Sequence, residues 1–252
     1  MQYIQWKFKD VIAGTTLRNP NAKENGNMAL HACMITNDVI DNRKQLSEEI
    51  GIDIHQWVFA KQTHSDHIHK VAKQDMGKGA ICFTDSIEDC DALYTKEKNI
   101  GIGVFHADCV PVLLYDPYTE IIAAIHSGWQ GTVKEITRKT LEHLITREQV
   151  DPKNVKAYIG PAIGYRSFEI GEDVIKQIKS MSFDTSNYLT PLSDGKALAD
   201  NKGLNVQMLL DLGVPKDSIT INPNDTFLKN DAFFSYRRDH QCGRHLSFIY
   251  RK

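Results

Sequence analysis

Between residues 100 and 126 the chain passes through three apolar segments in close succession: Ile100–His106, Val110–Tyr115 and Ile121–His126. Each is too short for an ordinary helix and is bounded by a polar break, an Asp-Cys step after the first and the Asp116-Pro117 turn after the second. Such runs read as buried strands and commit the middle of the chain to a sheet. Shorter strands are predicted at Tyr3–Phe8, Trp57–Phe59, Ile68–Val71, Val155–Ile159, Phe233–Tyr236 and Leu246–Tyr250, with a loop over 15–27. Apolar residues at 39, 40, 46 and 50 predict a helix over 38–50 that stops at Gly51. Thr132, followed three residues later by Glu135, predicts a capping box opening a helix that ends near Arg147. Helices are also expected near 172–181 and 204–212. Strands and helices mix without regular βαβ alternation, which favours an α+β layered fold in one domain over 1–252.

Charge narrows the function. Lys and Arg number 30 against 32 Asp and Glu, so a general nucleic-acid binder with its basic excess is not expected. Hydrophobic residues at 41% and charged residues at 25% exclude a disordered chain, a collagen-like fibre and a coiled-coil rod. No GxGxxG or GxxxxGK[ST] follows a strand, so neither phosphate-loop fingerprint is present. The first ten residues lack the apolar core of a signal peptide, and no apolar stretch is long enough for a membrane span. The expectation is a cytoplasmic protein without membrane contact, a monomer or weak homo-oligomer. Its five cysteines form no CxxC pair and point to free thiols or a metal ligand rather than a disulfide framework.

Three segments set a soft ligand beside turn residues after an apolar strand: His64 in Gln-Thr-His, Cys109 in Ala-Asp-Cys-Val-Pro, and His126 in His-Ser-Gly-Trp-Gln-Gly. Two imidazoles and a thiolate make an open zinc site, three protein ligands with a fourth position for water or substrate. The plainer alternative is two hydrogen-bonded histidines and a small buried cysteine. The glycine turn before Thr132 has a second use, because free N–H groups of Gly131 and Thr132 at a helix start favour an anion. The plainer alternative there is a tight strand–helix turn. Arg237, Arg238 and Arg244, near the C-terminus, suit bidentate capture of phosphate or carboxylate, although at least one is expected to be solvated or salt-bridged.

These motifs lie in one order: KQTHSDHIHKV, DALYT, GIGVFHADCVPVLLYDP, IAAIHSGWQGTVKEI, YIGPAIGYRSFEIGEDV and FFSYRRDHQCGRHLSFI. Together they resemble the YfiH family, also called the laccase-domain or multicopper polyphenol oxidase family, from about residue 57 onward. The resemblance implies mixed β-sheets packed together with helices outside, and a metal held by His64, Cys109 and His126, usually zinc, with copper possible. It also implies purine nucleoside chemistry: phosphorolysis of adenosine, inosine and methylthioadenosine, and deamination of adenosine. Phenol oxidation and peptidoglycan editing are the family's other associations. Asn27 matches a family asparagine with a substrate-contact role. Three positions depart from the pattern: Leu17 stands where the family has Arg, with Arg18 adjacent; His106 precedes Ala-Asp-Cys; and Gln130 replaces an Arg.

Counting ligands ranks these activities. A multicopper oxidase needs many paired histidines, and the chain has one His-x-His, His67-Ile-His69. Phosphorolysis needs an anion site, for which Arg237, Arg238, Gly131 and Thr132 are the candidates, and a proton for the leaving base. Deamination needs water activated at the open metal position, with Asp108 or His106 relaying the proton. A non-catalytic zinc domain would instead close that position with His106 or Asp108. An amidase-type hydrolase acting on a muropeptide would use the same metal-thiolate site.

Overall fold

A computed structural model describes residues 2–8 and 10–252. The chain opens with two paired strands, β1 (Tyr3–Lys7) and β2 (Val11–Thr16), followed by helix α1 (Thr36–Ile50). Gly51 ends α1 at φ 72°, its N–H reaching back to the Glu48 carbonyl, a left-handed cap that suits glycine. Short strands β3 (Trp57–Val58), β4 (Ile68–Lys70) and β5 (Ala92–Thr95) precede the three long ones, β6 (Ile100–His106), β7 (Val110–Asp116) and β8 (Ile121–Ser127). Helices α2 (Trp129–Val133) and α3 (Ile136–Glu148) lead to β9 (Lys156–Ile159), β10 (Glu169–Ile170) and α4 (Glu172–Lys179). The remainder is β11 (Leu189–Pro191), β12 (Ala197–Ala199), α5 (Asn201–Asp211), β13 (Ile219–Ile221) and β14 (His245–Arg251).

The strands form a five-stranded sheet in the order β1-β2-β14-β6-β3, a six-stranded sheet in the order β13-β9-β7-β8-β5-β4, and a small sheet β10-β12-β11. Alternation along each strand explains how the large sheets stack. Leu113, Tyr115, Ile122 and Ala124 meet Ala13, Ile102, Val104 and Ile249 of the other sheet in one buried cluster. Their neighbours Val112, Leu114, Ala123 and Ile125 face the opposite way, onto Ile136, Leu141 and Leu144 of α3 and Leu209 of α5. On the far side of the five-stranded sheet, Phe105 and Phe248 pack with Leu46 and Ile50 of α1. The result is a mixed α+β sandwich, helix–sheet–sheet–helix, whose central strands are apolar on both faces because both faces are covered. Gly101 contributes space: a Cβ there would stand 2.5 Å from the Trp57 ring that crosses it.

Three expectations need correction. The predicted capping box does not form. A helix starts earlier, at Trp129, and α3 begins after Glu135, which sits at φ 59°. The Glu135 carboxylate turns to Arg138 and Ser182 instead of back to Thr132. Residues 233–236 are not a strand. Their polar groups are taken by side chains: the Phe234 N–H donates to His245 Nε2 at 2.8 Å and the Ser235 hydroxyl donates to Asp108 at 2.9 Å. The loop expected over 15–27 also starts late, since Thr15 and Thr16 close β2. Among the described residues no helix is long and apolar enough to cross a membrane.

Candidate active site

The three soft ligands converge. Ligand atoms of His64, Cys109 and His126 all lie within 4.8 Å of one another, and Cys109 Sγ is 3.9 Å from His64 Nε2. Each arrives on a different strand end. Cys109 sits in the turn between β6 and β7, His126 is on β8, and His64 is in the loop after β3 at φ 59°. Gln62 fixes that loop by pairing its side-chain amide with Phe105, accepting from the backbone N–H at 2.7 Å and donating to the carbonyl at 2.8 Å. The two imidazoles are pinned together by Asp91, immediately before β5. One Asp91 oxygen accepts from His126 Nδ1 at 2.8 Å; the other accepts from the N–H groups of Thr63 and Ser65 and from the Ser65 hydroxyl. The carboxylate therefore orients one imidazole and folds the loop carrying the second, leaving His126 Nε2 for the metal side.

Gly128 makes room. A Cβ at that position would stand 2.7 Å from His64 Cδ2 and 2.9 Å from Cys109 Sγ. Asp108, at φ 86°, holds the cysteine turn: its carboxylate accepts from Thr226 Oγ1 at 2.6 Å, Ser235 Oγ at 2.9 Å and the Arg237 N–H at 2.7 Å. A left-handed aspartate beside the ligand is a strained conformation that these three bonds maintain.

The electrostatics suit a cation. Burial pushes the Cys109 thiol up, but the charge and hydrogen bond of His126, with help from His64, outweigh it and bring its pKa to about 6. Burial likewise works against His126, while Cys109 and Asp91 raise it to about 9. Asp91 resists its own desolvation through His126 and Ser65 and falls to about 2. Two imidazoles and a thiolate at this spacing are a donor set that a tetrahedral divalent ion fits. His106 and Asp108 are not in the cluster. His106 Nε2 is 2.8 Å from Ser247 Oγ, and the Asp108 oxygens are engaged as described. The three side chains line a cavity of about 540 Å³.

His106, 1% exposed, lies at the cavity with its Nδ1 unpartnered. Burial and the neighbouring His245 push its pKa well below the usual value, so the ring is neutral. Trp129, Phe168, Phe105 and Tyr236 line the same cavity, and Arg237 lines it too, with Nη2 donating to the Glu169 carbonyl. The other candidates sit elsewhere. Arg238 donates to the carbonyls of Thr226, Phe227 and Phe233 and holds the backbone of that segment. The Thr132 N–H donates to the Gly128 carbonyl at 2.8 Å, so it is no free anion donor, and neither Gly131 nor Thr132 lines the cavity. Asn27 is fully buried and braces its own loop. Arg18 donates to the Asn230 carbonyl, and Gln130 is exposed. Sequence reasoning gave no role to Asp91, Gln62 or His31, although DALYT and KQTHS both belong to the recurring motifs.

A family model described as multi-copper polyphenol oxidoreductase laccase matches residues 14–252. The purine nucleoside phosphorylase YlmD of Bacillus subtilis is 32% identical over 246 residues, 96% of this chain and 88% of the relative. A purine nucleoside phosphorylase of Staphylococcus aureus (strain COL) is 34% identical over 252 residues, 98% of this chain and 94% of its own length. Among solved structures, a Bacillus licheniformis hypothetical protein YfiH superposes with a TM-score of 0.93 at 34% identity, covering 96% of this chain and 93% of that one. YlmD from Geobacillus stearothermophilus gives 0.92 at 31% identity, covering 97% and 93%. By fold, by length and by sequence, the chain belongs to the laccase-like family that includes YfiH and YlmD.

Proposed function

We propose that the chain is a zinc-dependent purine nucleoside phosphorylase, acting on adenosine, inosine and methylthioadenosine, and that the same cavity deaminates adenosine. One observation carries the reading: the His64–Cys109–His126 cluster opens onto a cavity walled by flat aromatic side chains and fringed by arginine. The relatives' names supply the reaction class. His64, Cys109 and His126 would hold the ion, which supplies Lewis acidity at the open position. Zinc suits two imidazoles and a thiolate with no second cluster beside them; copper fits the donors too, but the group is single among the described residues.

In phosphorolysis a phosphate oxygen bonds to the ribose anomeric carbon as the glycosidic C–N bond breaks. The bonding pair leaves with the purine, which takes up a proton. The aromatic walls bind a purine and exclude water from that centre, while Arg237 adds positive charge at the cavity. Asp108 is assigned a positioning role, because its oxygens already accept three hydrogen bonds that set the Cys109 turn. His106 stands as the neutral imidazole of the site.

The test is direct. Zinc-loaded protein is incubated with adenosine or inosine, with and without phosphate, and the products are separated chromatographically. Free base with ribose 1-phosphate should appear only with phosphate, inosine should form from adenosine without it, and Cys109→Ala should lose both. About one zinc per chain is expected, lost in His64→Ala. Absence of all nucleoside products from the wild-type protein, with cleavage of a muropeptide instead, would move the reading to an editing hydrolase.

A further inference from the structure

One wall of the cavity is basic and is built by residues outside the metal cluster. His31 and Arg244 both line it. Their segments are joined by Asn27, whose side-chain oxygen accepts from the Arg244 N–H at 2.8 Å and the Ala29 N–H at 3.0 Å. Its amide nitrogen donates to the Ala32 carbonyl at 2.6 Å. The backbone closes the same junction, with the Met28 N–H donating to the Arg244 carbonyl at 3.0 Å. A Cβ on Gly243 would stand 2.7 Å from Asn27 Cβ, so the two segments meet at van der Waals limits.

Behind this wall lies a buried cation. The Arg43 guanidinium is 4.8 Å from the ring centroids of both Phe59 and Phe105, and it donates only to the carbonyls of Met28, Gly79 and Ala80. No carboxylate pairs with it among the described residues, and a buried guanidinium without a counter-ion is costly. Arg244 commits only Nη1, to the Cys242 and Gly243 carbonyls, and lies 5.3 Å over the Tyr236 ring, leaving Nε and Nη2 as donors. The carboxylate that lines the cavity, Asp108, is turned to Thr226, Ser235 and the Arg237 N–H. Enclosure, together with Arg244 and Arg43, holds the His31 pKa down to about 4, a sign of how much positive charge meets at this corner.

We propose that this wall is a phosphate subsite, in which the Arg244 guanidinium and the His31 imidazole bind the inorganic phosphate that enters the reaction. The assignment rests on the phosphorylase reading given above. Arg43 adds charge from behind, and Asn27 is a positioning residue that sets Arg244 and His31 at one spacing. A guanidinium with two free donor nitrogens matches the tetrahedral oxyanion in geometry as well as charge.

The experiment titrates zinc-loaded wild-type protein, Arg244→Gln and Arg244→Lys with inorganic phosphate at fixed ionic strength, by calorimetry. Adenosine 5′-monophosphate is titrated in parallel, and the KM values for phosphate and inosine are measured separately. Arg244→Gln should weaken phosphate binding and raise its KM by about 10- to 100-fold, with Arg244→Lys between, while the KM for inosine holds. Circular dichroism confirms that the variants fold; if Arg244→Gln does not, His31→Gln carries the same test. Equal phosphate affinity in wild-type and folded variant proteins overturns the subsite. So does an absence of phosphate binding in the wild type. Binding of the nucleotide but not of free phosphate, lost in Arg244→Gln, overturns the assignment to inorganic phosphate. Arg244-dependent phosphate binding in a protein that splits no nucleoside leaves the subsite standing and removes the phosphorylase reading.

Discussion

Asp91 shows how much of a candidate metal centre can rest on one residue outside the ligand cluster. Its two oxygens are divided between the His126 ring and the loop that carries His64, so the two imidazoles move together or not at all. Asp91→Asn is expected to lower zinc affinity about 10- to 100-fold in a chelator competition, with the far-ultraviolet spectrum unchanged. Unaltered affinity would mean that packing alone orients the ligands. Gly128→Ala tests the same centre from the other side, since the added methyl meets both Cys109 Sγ and His64 Cδ2. The same competition assay should show weakened zinc, and a variant that binds zinc as the parent does would contradict the close approach. The three candidate ligands were legible in the sequence because each followed an apolar strand. Asp91 was not, because the groups it joins lie 26 to 35 residues away and no local pattern marks such a carboxylate.

At the scale of elements, the end of α3 is held by charge. Glu148 accepts from Lys70 at 2.7 Å and from the Tyr94 hydroxyl at 2.9 Å, with Lys96 at 2.7 Å, tying the helix to β4 and β5. Burial pushes its pKa up, but the lysines and the tyrosine outweigh that and bring it to about 2 from 4.5. A depressed carboxylate stabilises the fold above about pH 4.5, and the contribution is lost as the pH falls towards about 2. Glu148→Gln should therefore cost on the order of 1–2 kcal/mol in urea denaturation at pH 7, discounted for half-exposed lysines, and only about a quarter of that at pH 2.5. A difference independent of pH would assign the effect to packing. The elements most legible in the sequence were β6, β7 and β8, each an unbroken apolar run, and α1, with its helical apolar spacing. Residues 233–236 have a strand's composition, yet Asp108 and His245 take their hydrogen bonds. No propensity reports a competitor that distant.

Across the whole molecule, stability comes from two sheets that share one buried cluster between them. Leu113, fully buried there, is expected to cost about 2–5 kcal/mol as Leu113→Ala in equilibrium denaturation. A smaller loss would show that the layers close over the gap. Acid acts on the same interior. His245 donates from Nδ1 to the Thr16 carbonyl and accepts the Phe234 N–H at Nε2, so only the neutral ring fits. Burial holds its pKa near 4 against an ordinary 6.5, and His106 is lowered as well. Below about pH 6.5 the unfolded chain takes up protons that the folded chain refuses, so stability falls as the pH drops through that window. The slope is at most about 1.4 kcal/mol per pH unit for each ring. Denaturation of chelator-treated protein between pH 7 and pH 4.5 measures it, and a flat profile would contradict neutral rings. By itself the sequence determined the class of fold and the three soft ligands, since apolar period and ligand type are local properties of a chain. Only the tertiary structure decided that Asp91 binds two of those ligands in one grip, that Asn27 braces a wall, and that His31 and Arg244 share a cavity with the metal cluster. Those relations join residues far apart in the chain, and packing alone brings them within a few ångströms.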